Sequence, residues 1–187
     1  MRGADKLMEE VEGAPLVATM ARRALASEAP KVLVALPDLD HPRAGALAGL
    51  AVDLVPVPDA ALGMGVSIAT GVAALPAKTT AVMILPGDMP ELTRDDFRTM
   101  TDAWQKAPDN AILRAASADG RPGHPVIFPR ACFAALSQLG GDQGARKVIS
   151  THDAPIQPVP LPHAHALTDL DTPEAWAAWR AARSPSS

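Results

Sequence analysis

Aromatic residues and cysteine are scarce in this sequence, which contains no tyrosine, three phenylalanines, three tryptophans and one cysteine. A core must therefore be built from Ala, Val, Leu, Ile and Met. The single cysteine, Cys132, excludes an intrachain disulfide framework and a cysteine-rich zinc site. No apolar run approaches the ~20 residues of a membrane span, and the mixed-charge opening MRGADKLMEE lacks the pattern of a secretory signal. We expect a cytoplasmic protein that does not enter a membrane.

Charge of one sign is not in large excess either. The 187 residues include 17 Lys and Arg against 21 Asp and Glu, for a net charge of −4. This balance gives no overall field that would attract nucleic acid or an anionic membrane. The length suits one domain, which we expect over residues 1–183, followed by a frayed tail over 184–187.

Short apolar runs alternate with segments of helical periodicity along the chain. Strands are predicted over residues 31–36, 53–57, 79–85, 111–115 and 125–128, followed by an extended piece over 155–160. Helices are predicted over 16–27, 44–51, 66–75, 93–106, 129–139 and 171–180. The run 79–85 is the most continuous and is predicted to be a central strand. The alternation predicts a three-layer α/β fold with a mainly parallel sheet, whose functional loops follow the carboxyl ends of the strands.

Three aspartates are candidates for metal binding. Asp88 directly follows the run 79–85, in a Pro-Gly-Asp-Met-Pro loop where a carboxylate could hold Mg²⁺. Asp169 and Asp171 lie in Thr-Asp-Leu-Asp-Thr-Pro-Glu, near the other end of the chain. The ordinary alternatives are a turn aspartate at Asp88 and a helix N-cap at Asp171 or Thr172. Carboxylates from two distant loops that met at one strand edge would suit metal-assisted phosphoryl chemistry.

Two glycine-rich segments and one histidine are candidates for ligand binding. Gly63-Met-Gly65, with Ser67 at a helix start, offers backbone N–H groups to a polar or anionic ligand, although two glycines before a helix are often only a turn. His124 precedes a strand and is either a ligand contact or an ordinary loop residue. Arg146 follows the sequence GGDQGA and could clamp a phosphate, or it could be a surface arginine after a solvated helix cap.

Six segments occur in an order that points to a family. The chain resembles, over nearly its whole length, the nucleotidyltransferases of molybdenum cofactor biosynthesis, which attach a nucleotide to molybdopterin. The matching segments are Arg2-Gly-Ala-Asp-Lys6, Gly63-x-Gly65-x-Ser67, Gly87-Asp-Met-Pro90, Gly123-His-Pro-Val126 with Phe128, Gly141-Asp-Gln-Gly-Ala-Arg146 and Asp169-Leu-Asp-Thr-Pro-Glu174. The His-Pro-Val-x-Phe and Asp-x-Gly-Ala-Arg pieces are more similar to the cytidylyltransferase branch than to the guanylyltransferase branch.

The resemblance implies a Rossmann-like sheet that binds an NTP (CTP or GTP), whose α-phosphorus is attacked by the acceptor's phosphate with release of pyrophosphate. It implies that Asp88 is the first Mg²⁺ ligand and that Asp171, or less readily Asp169, is the second. Lys6 would neutralise the triphosphate, and Lys6 and Asp88 would be the catalytic residues. The implied nucleotide-binding residues are Gly3, Lys6, Gly63, Gly65 and Ser67, and the residues implied to face the pterin or its phosphate are His124 and Arg146.

The start of the chain departs from the family. The family opens with a strand and a glycine-rich loop of the form Leu-Ala-Ala-Gly-x-Ser-x-Arg-Met-Gly, and Met1 aligns with the Met of that motif. We therefore expect a sheet without its first strand, which would be a central one, and a site without the family's main phosphate cradle. Two explanations compete, a start codon assigned too late and a protein that has lost catalysis. A smaller departure is Gly87, where the family usually has Ala or Cys.

Three functions are compatible with these patterns. The leading hypothesis is a Mg²⁺-dependent enzyme that transfers CMP, or GMP, from an NTP to molybdopterin, with a molybdoenzyme or its chaperone as a further partner. The second keeps the fold and replaces the acceptor by a sugar phosphate or an isoprenoid-precursor phosphate. The third is a non-catalytic protein that binds nucleotide or cofactor during molybdoenzyme maturation.

Overall fold

Strands and helices alternate along the chain in a computed structural model, which describes residues 5–27, 29–153 and 155–183. The strands are β1 (Glu10–Val11), β2 (Ala14–Pro15), β3 (Leu33–Leu36), β4 (Asp53–Pro56), β5 (Ala81–Ile84), β6 (Ile112–Ala116), β7 (Pro122–Pro129) and β8 (Ile156–Pro160). The helices are α1 (Leu16–Leu25), α2 (Pro42–Ala46), α3 (Met64–Ala73), α4 (Arg94–Lys106), α5 (Phe133–Leu136), α6 (Arg146–Thr151) and α7 (Pro173–Arg183). Short 3-10 turns lie at Lys6–Met8, Ala60–Leu62, Arg130–Cys132 and Gly141–Gln143.

Six of the strands form two sheets. The larger sheet has the order β5-β7-β6-β8, in which β6 and β8 are parallel and β7 runs antiparallel to both β5 and β6. The smaller sheet is the parallel pair of β3 and β4, and β1 and β2 form a separate antiparallel pair. The predicted α/β fold is confirmed. The larger sheet is mixed rather than mainly parallel, because the turn closed by the Ser117 N–H and the Arg121 carbonyl sends β7 back along β6.

Strand β5 differs most from its prediction. It holds the most continuous apolar run of the sequence, yet it lies at the edge of the larger sheet, and its residues are all partly exposed. Apolar character alone does not distinguish a central strand from an edge strand that helices cover, since pairing is decided by distant parts of the chain. Among the described residues, the parallel pair β3-β4 shares no strand pairing with the larger sheet. The absence of a first strand, which the resemblance implied, stays a prediction.

Helices α1 and α3 join the two sheets. On one side, Val17 of α1 belongs to a core cluster that includes side chains of β3 and β4, and Met20 belongs to a cluster that includes side chains of β5. On the other side, α3 contacts β3, and its Ile68 and Val72 belong to a cluster that includes side chains of β5. The two sheets are therefore held side by side by the helical layers that cover them.

The apolar residues of the larger sheet point alternately into two core clusters. Leu113 and Ala115 of β6 pack with side chains of α1, α4 and α7, including the buried Phe97 and Trp176. Ile112 of the same strand packs on the opposite face with side chains of α3, α5 and α6. This period of two confirms the three-layer arrangement. The helix predicted over 129–139 is instead a 3-10 turn followed by the four-residue α5, and α6 was not predicted.

The N-terminus of α4 anchors the loop that precedes α7. Thr93 and Asp96 form the predicted capping box, with the Thr93 N–H donating to Asp96 at 2.7 Å and the Asp96 N–H donating to Thr93 Oγ1 at 3.2 Å. The buried Asp96 carboxylate also hydrogen-bonds Nδ1 of His165, at 2.9 Å. A capping residue of α4 therefore holds the loop that carries Asp169 and Asp171.

The proposed extent of the domain, residues 1–183, stays a prediction, and the tail 184–187 lies outside the described residues. Within the described ranges, no helix combines the length and hydropathy needed to cross a membrane.

Candidate active site

Three charged residues from distant parts of the sequence meet beyond the carboxyl end of β5. Lys6 lies in the first 3-10 turn, Asp88 in the loop after β5 and Asp171 just before α7. The Lys6 ammonium donates to Oδ2 of Asp88 and, at 2.5 Å, to Oδ1 of Asp171. The structure thus brings together the two residues predicted to be catalytic and the residue predicted to be the second metal ligand. Gly3, predicted to bind nucleotide, lies outside the described residues.

The charge of Lys6 is stabilised by the two carboxylates beside it. Burial lowers the pKa of Lys6, but hydrogen bonds and charge attraction from Asp171 and Asp88 outweigh it, so the pKa lies above its usual value. Asp88 is only 7% exposed, and its second oxygen, Oδ1, is buried without a hydrogen-bond partner. A buried carboxylate oxygen without a donor is costly, and a bound cation would satisfy it.

The loop 162–171 is fastened at several points, which fixes the position of Asp171. The Leu170 N–H donates to the Asp88 carbonyl at 3.3 Å, and Nε1 of Trp176 donates to the Leu170 carbonyl at 3.1 Å. Thr172, rather than Asp171, caps α7, because its Oγ1 accepts from the Ala175 N–H at 3.1 Å. Thr172 is therefore the N-cap, and the Asp171 carboxylate accepts from Lys6.

The turn that carries Lys6 is positioned by its neighbours. Asp5 caps it by accepting the Leu7 N–H at 3.1 Å, and the same carboxylate accepts two bonds from Arg43 of α2, at 2.7 and 2.8 Å. Gly87 leaves room for Leu7, since a Cβ at position 87 would lie 3.3 Å from both methyl carbons of that side chain. The sequence-based interpretation missed Arg43, and the isolated Asp5 before Lys6 gave no signal that pointed to it.

The bond between Asp5 and Arg43 predicts how stability depends on pH. The hydrogen bond from Arg43 outweighs burial and holds the pKa of Asp5 below its ordinary value of 3.8. A lowered folded-state pKa contributes stability above the unfolded-state pKa, and that stability is lost as the pH falls through the folded-state value. Urea unfolding should find Asp5→Asn less stable than the natural chain at pH 7, with the gap closing below about pH 4. The difference in stability between Arg43→Gln and the natural chain should close in the same way as the pH falls. A difference that stays constant with pH would contradict this assignment.

The glycines at positions 63 and 65 have a packing role. A Cβ on Gly63, where φ is 121°, would lie 2.4 Å from the carbonyl carbon of Gly141, and one on Gly65 would lie 2.8 Å from the Gly141 oxygen. Both contacts are too short for any side chain, so this close approach of two backbones requires glycine. Ser67 is half-buried in the first turns of α3. The predicted nucleotide-binding loop around Gly63 and Gly65 therefore packs directly against the segment that leads to Arg146.

A second group of charges, all basic, lies near the first. His124 is half-buried on β7, and Arg114 of β6 donates from Nε to the Gly123 carbonyl beside it at 3.2 Å. Burial and the positive charge of Arg114 lower the pKa of His124, and Arg146 adds to the effect, whereas Asp88 and Asp169 oppose it. The charges of both the acidic and the basic groups therefore act on His124. Arg114 was not predicted, although a charged residue inside the apolar run Ile-Leu-Arg-Ala-Ala was a signal for it.

The carboxylates do not form a complete metal cage. Across the described ranges, no group of three or more His, Cys, Asp or Glu side chains is arranged to hold a metal ion. Asp88 and Asp171 approach the same ammonium, and the exposed Asp169 acts on His124 through its charge. Two carboxylates that approach the same point suit a hard cation that keeps water or phosphate oxygens as its other ligands.

A family model for the MobA-like NTP transferase domain matches residues 1–156 of the chain. No curated protein matches it at a significant level. Among solved structures, the chain is similar to Rv0371c from Mycobacterium tuberculosis H37Rv, with 21% identity over 95% of this chain and 89% of that chain and a TM-score of 0.80. The same protein in complex with manganese shows 22% identity, 92% and 89% coverage, and a TM-score of 0.78.

Two further solved structures share the fold. A nucleotidyl transferase from Methanothermobacter thermautotroptrophicus is 16% identical over 96% of this chain and 85% of that chain, with a TM-score of 0.79. CMP:2-keto-3-deoxy-manno-octonic acid synthetase in complex with CTP is 13% identical over 95% of this chain and 90% of that chain, with a TM-score of 0.74. At these identities the likeness establishes the fold.

Proposed function

The chain belongs to the MobA-like NTP transferase family and is a nucleotidyltransferase, and on that basis we propose that it transfers CMP, or GMP, from an NTP to molybdopterin with release of pyrophosphate. CTP is the preferred donor, because the His124 and Arg146 segments are more similar to the cytidylyltransferase branch. A structural neighbour in complex with CTP is compatible with that choice. The observation that carries the proposal is the meeting of Lys6, Asp88 and Asp171 at one strand end.

The donor site is suited to a divalent cation, which we propose to be Mg²⁺. Asp88 and Asp171 would hold it, with Asp169 as the weaker candidate, and the unpartnered Oδ1 of Asp88 fits a metal ligand. A manganese complex of a structural neighbour supports a divalent ion in this fold. When bound, the ion would supply positive charge against the phosphate oxygens of the nucleotide.

The chain's own residues would bind and orient the two substrates. Lys6 would turn from the carboxylates toward the triphosphate, and Ser67 with the backbone near Gly63 and Gly65 would contact the base or ribose. His124 and Arg146 would face the pterin or its phosphate. A phosphate oxygen of the acceptor forms a bond to the α-phosphorus, the bond from that phosphorus to the bridging oxygen breaks, and pyrophosphate leaves with the electron pair. Positioning and charge stabilisation suffice for this transfer, so no covalent nucleophile is required.

The cellular setting is part of the proposal. A cofactor nucleotide made by this chain would pass to a molybdoenzyme or to its chaperone, and both steps would take place in the cytoplasm. The absence of an excess of basic residues supports a small-molecule substrate rather than a nucleic acid.

An acceptor screen tests the proposal. The full chain is incubated with Mg²⁺, either CTP or GTP, and molybdopterin, a sugar phosphate or an isoprenoid-precursor phosphate, and pyrophosphate release is measured. We expect turnover with molybdopterin, faster with CTP than with GTP. Turnover only with another acceptor would replace molybdopterin, and nucleotide binding without any turnover would favour a non-catalytic maturation protein.

A further inference from the structure

Arg114 and Arg146 lie on the same side of the larger sheet, and His124 lies beside Arg114. On β6, Ile112 packs with α3 and α6, whereas Leu113 and Ala115 pack on the opposite face, so the alternation places Arg114 on the side of Ile112. On β7, Val126 and Phe128 belong to that same face. The register between β6 and β7 shifts before Val126, but the bond from Arg114 Nε to the Gly123 carbonyl places His124 next to Arg114. Arg146 begins α6, whose Val148 is buried in the same cluster. Three segments that are distant in sequence thus bring the side chains of Arg114, His124 and Arg146 close together.

This group is electrostatically unfavourable when it stands alone. Arg114 is half-buried, and its pKa is lowered by burial and by the like charge of Arg146. In the part of the chain that the structure describes, neither guanidinium forms a salt bridge with a carboxylate. In addition, Nδ1 of His124 is buried and has no hydrogen-bond partner. Two arginines that repel each other beside an unsatisfied ring nitrogen favour an anion that accepts hydrogen bonds from all three.

We propose that Arg114, together with Arg146 and His124, binds the phosphate monoester of the acceptor. Arg114 thereby selects acceptors that carry a dianionic phosphate over acceptors that offer only a hydroxyl or a carboxylate. The identity of this anion as the acceptor's phosphate rests on the proposed function. The carboxylates of Asp88 and Asp169 are near enough to act on His124 through their charges, so an anion held here lies near the proposed donor site. A planar guanidinium supplies paired N–H groups that match two phosphate oxygens, which a single ammonium does not.

Inorganic phosphate is the probe that tests the site without any transfer reaction. Its binding to the full chain is measured by calorimetry in the absence of metal and nucleotide, for the natural chain, Arg114→Gln and Arg121→Gln. Arg121 is an exposed arginine in the turn between β6 and β7, paired with Asp119, and serves as the matched control. We expect Arg114→Gln to raise the dissociation constant about 10- to 100-fold, as the loss of charge-assisted hydrogen bonds predicts, and Arg121→Gln to leave it unchanged.

A second variant keeps the test valid if Arg114→Gln fails to fold. Arg146 is exposed, so Arg146→Gln leaves the core intact and should weaken phosphate binding to a similar degree. Arg114→Lys, which keeps the charge and loses the paired N–H groups, should bind phosphate with intermediate affinity. Phosphate binding that is undetectable in the natural chain, or equal in the natural chain and the Arg114 and Arg146 variants, would overturn the assignment.

Transfer kinetics separate this inference from the proposed function. With an active acceptor, Arg114→Gln should raise the KM for the acceptor and leave the KM for the NTP unchanged, which a general loss of structure would not do. If the chain transfers nucleotide to no acceptor, the proposed function fails, and the phosphate-binding measurement still decides the role of Arg114.

Discussion

Asp88→Asn is expected to lower kcat for nucleotide transfer by about 10³-fold, a larger effect than we expect for Asp171→Asn. Asparagine keeps the shape of the side chain and removes the charge that faces Lys6 and that would hold the metal ion. Because Lys6 keeps Asp171 as a partner, the fold should survive. Rates of pyrophosphate release, with thermal unfolding as a check on folding, measure the effect.

Two further variants serve as a comparison and a control for Asp88→Asn. Asp171→Asn should lower kcat less, by about 10- to 100-fold, since the Asp171 side chain is 64% exposed and water screens its charge. Asp95→Asn serves as the control, because Asp95 lies on the exposed first turn of α4, paired with Arg94. If Asp88→Asn kept full activity, or lost no more than Asp95→Asn, the assignment of the metal and triphosphate site would be wrong.

Gly123→Ala is expected to have the largest effect on stability. A Cβ at position 123 would lie 1.9 Å from the Ala166 carbonyl oxygen and 2.7 Å from its carbonyl carbon. Backbone cannot yield as a flexible side chain does, so β7 and the loop 162–171 must separate. That separation also breaks the 2.8 Å bond from the His124 N–H to the Ala166 carbonyl. We expect a loss of about 3 kcal/mol or more in the free energy of unfolding.

The consequence of Gly123→Ala extends to the active site. The displaced loop carries Asp169 and Asp171, so the variant should also lose activity under conditions where it remains folded. Gly71→Ala is the matched control, because a Cβ at this position in α3 meets no atom within 4 Å. It should raise the free energy of unfolding by about 0.5 to 1 kcal/mol. A Gly123→Ala variant as stable as the natural chain would show that the loop is not packed as described.

Part of the arrangement of the candidate site could be predicted from local patterns. A carboxylate directly after an apolar strand lies at a sheet edge, which placed Asp88 correctly, and Thr-Pro-Glu after Asp171 marked the start of α7. The capping box at Thr93 and Asp96 depends on neighbours three residues apart, so the sequence alone was enough. These features are set by short stretches of chain, where backbone geometry leaves few options.

Features that depend on distant contacts could not be predicted in this way. Strand β5 lies at the edge because, among the described strands, it pairs with β7 alone, some 45 residues later in the chain. Gly63 and Gly65 must be glycine because Gly141 approaches them, and a sequence pattern does not distinguish this packing from ligand binding. The charge of Arg114 inside an apolar strand was a local signal, but only the fold shows that His124 and Arg146 lie near it. Each of these needs the tertiary arrangement, which local propensity does not contain.

The central claim is that an NTP and its metal ion bind where Lys6, Asp88 and Asp171 meet. A crystal structure of the full chain grown with CTP and Mn²⁺ tests it most directly, because the anomalous signal of manganese locates the ion independently of the protein. The account predicts an anomalous peak within coordinating distance of the Asp88 carboxylate, with the Lys6 ammonium moved onto the triphosphate. Bound CTP with manganese elsewhere, or with Lys6 still between the two carboxylates, would contradict it.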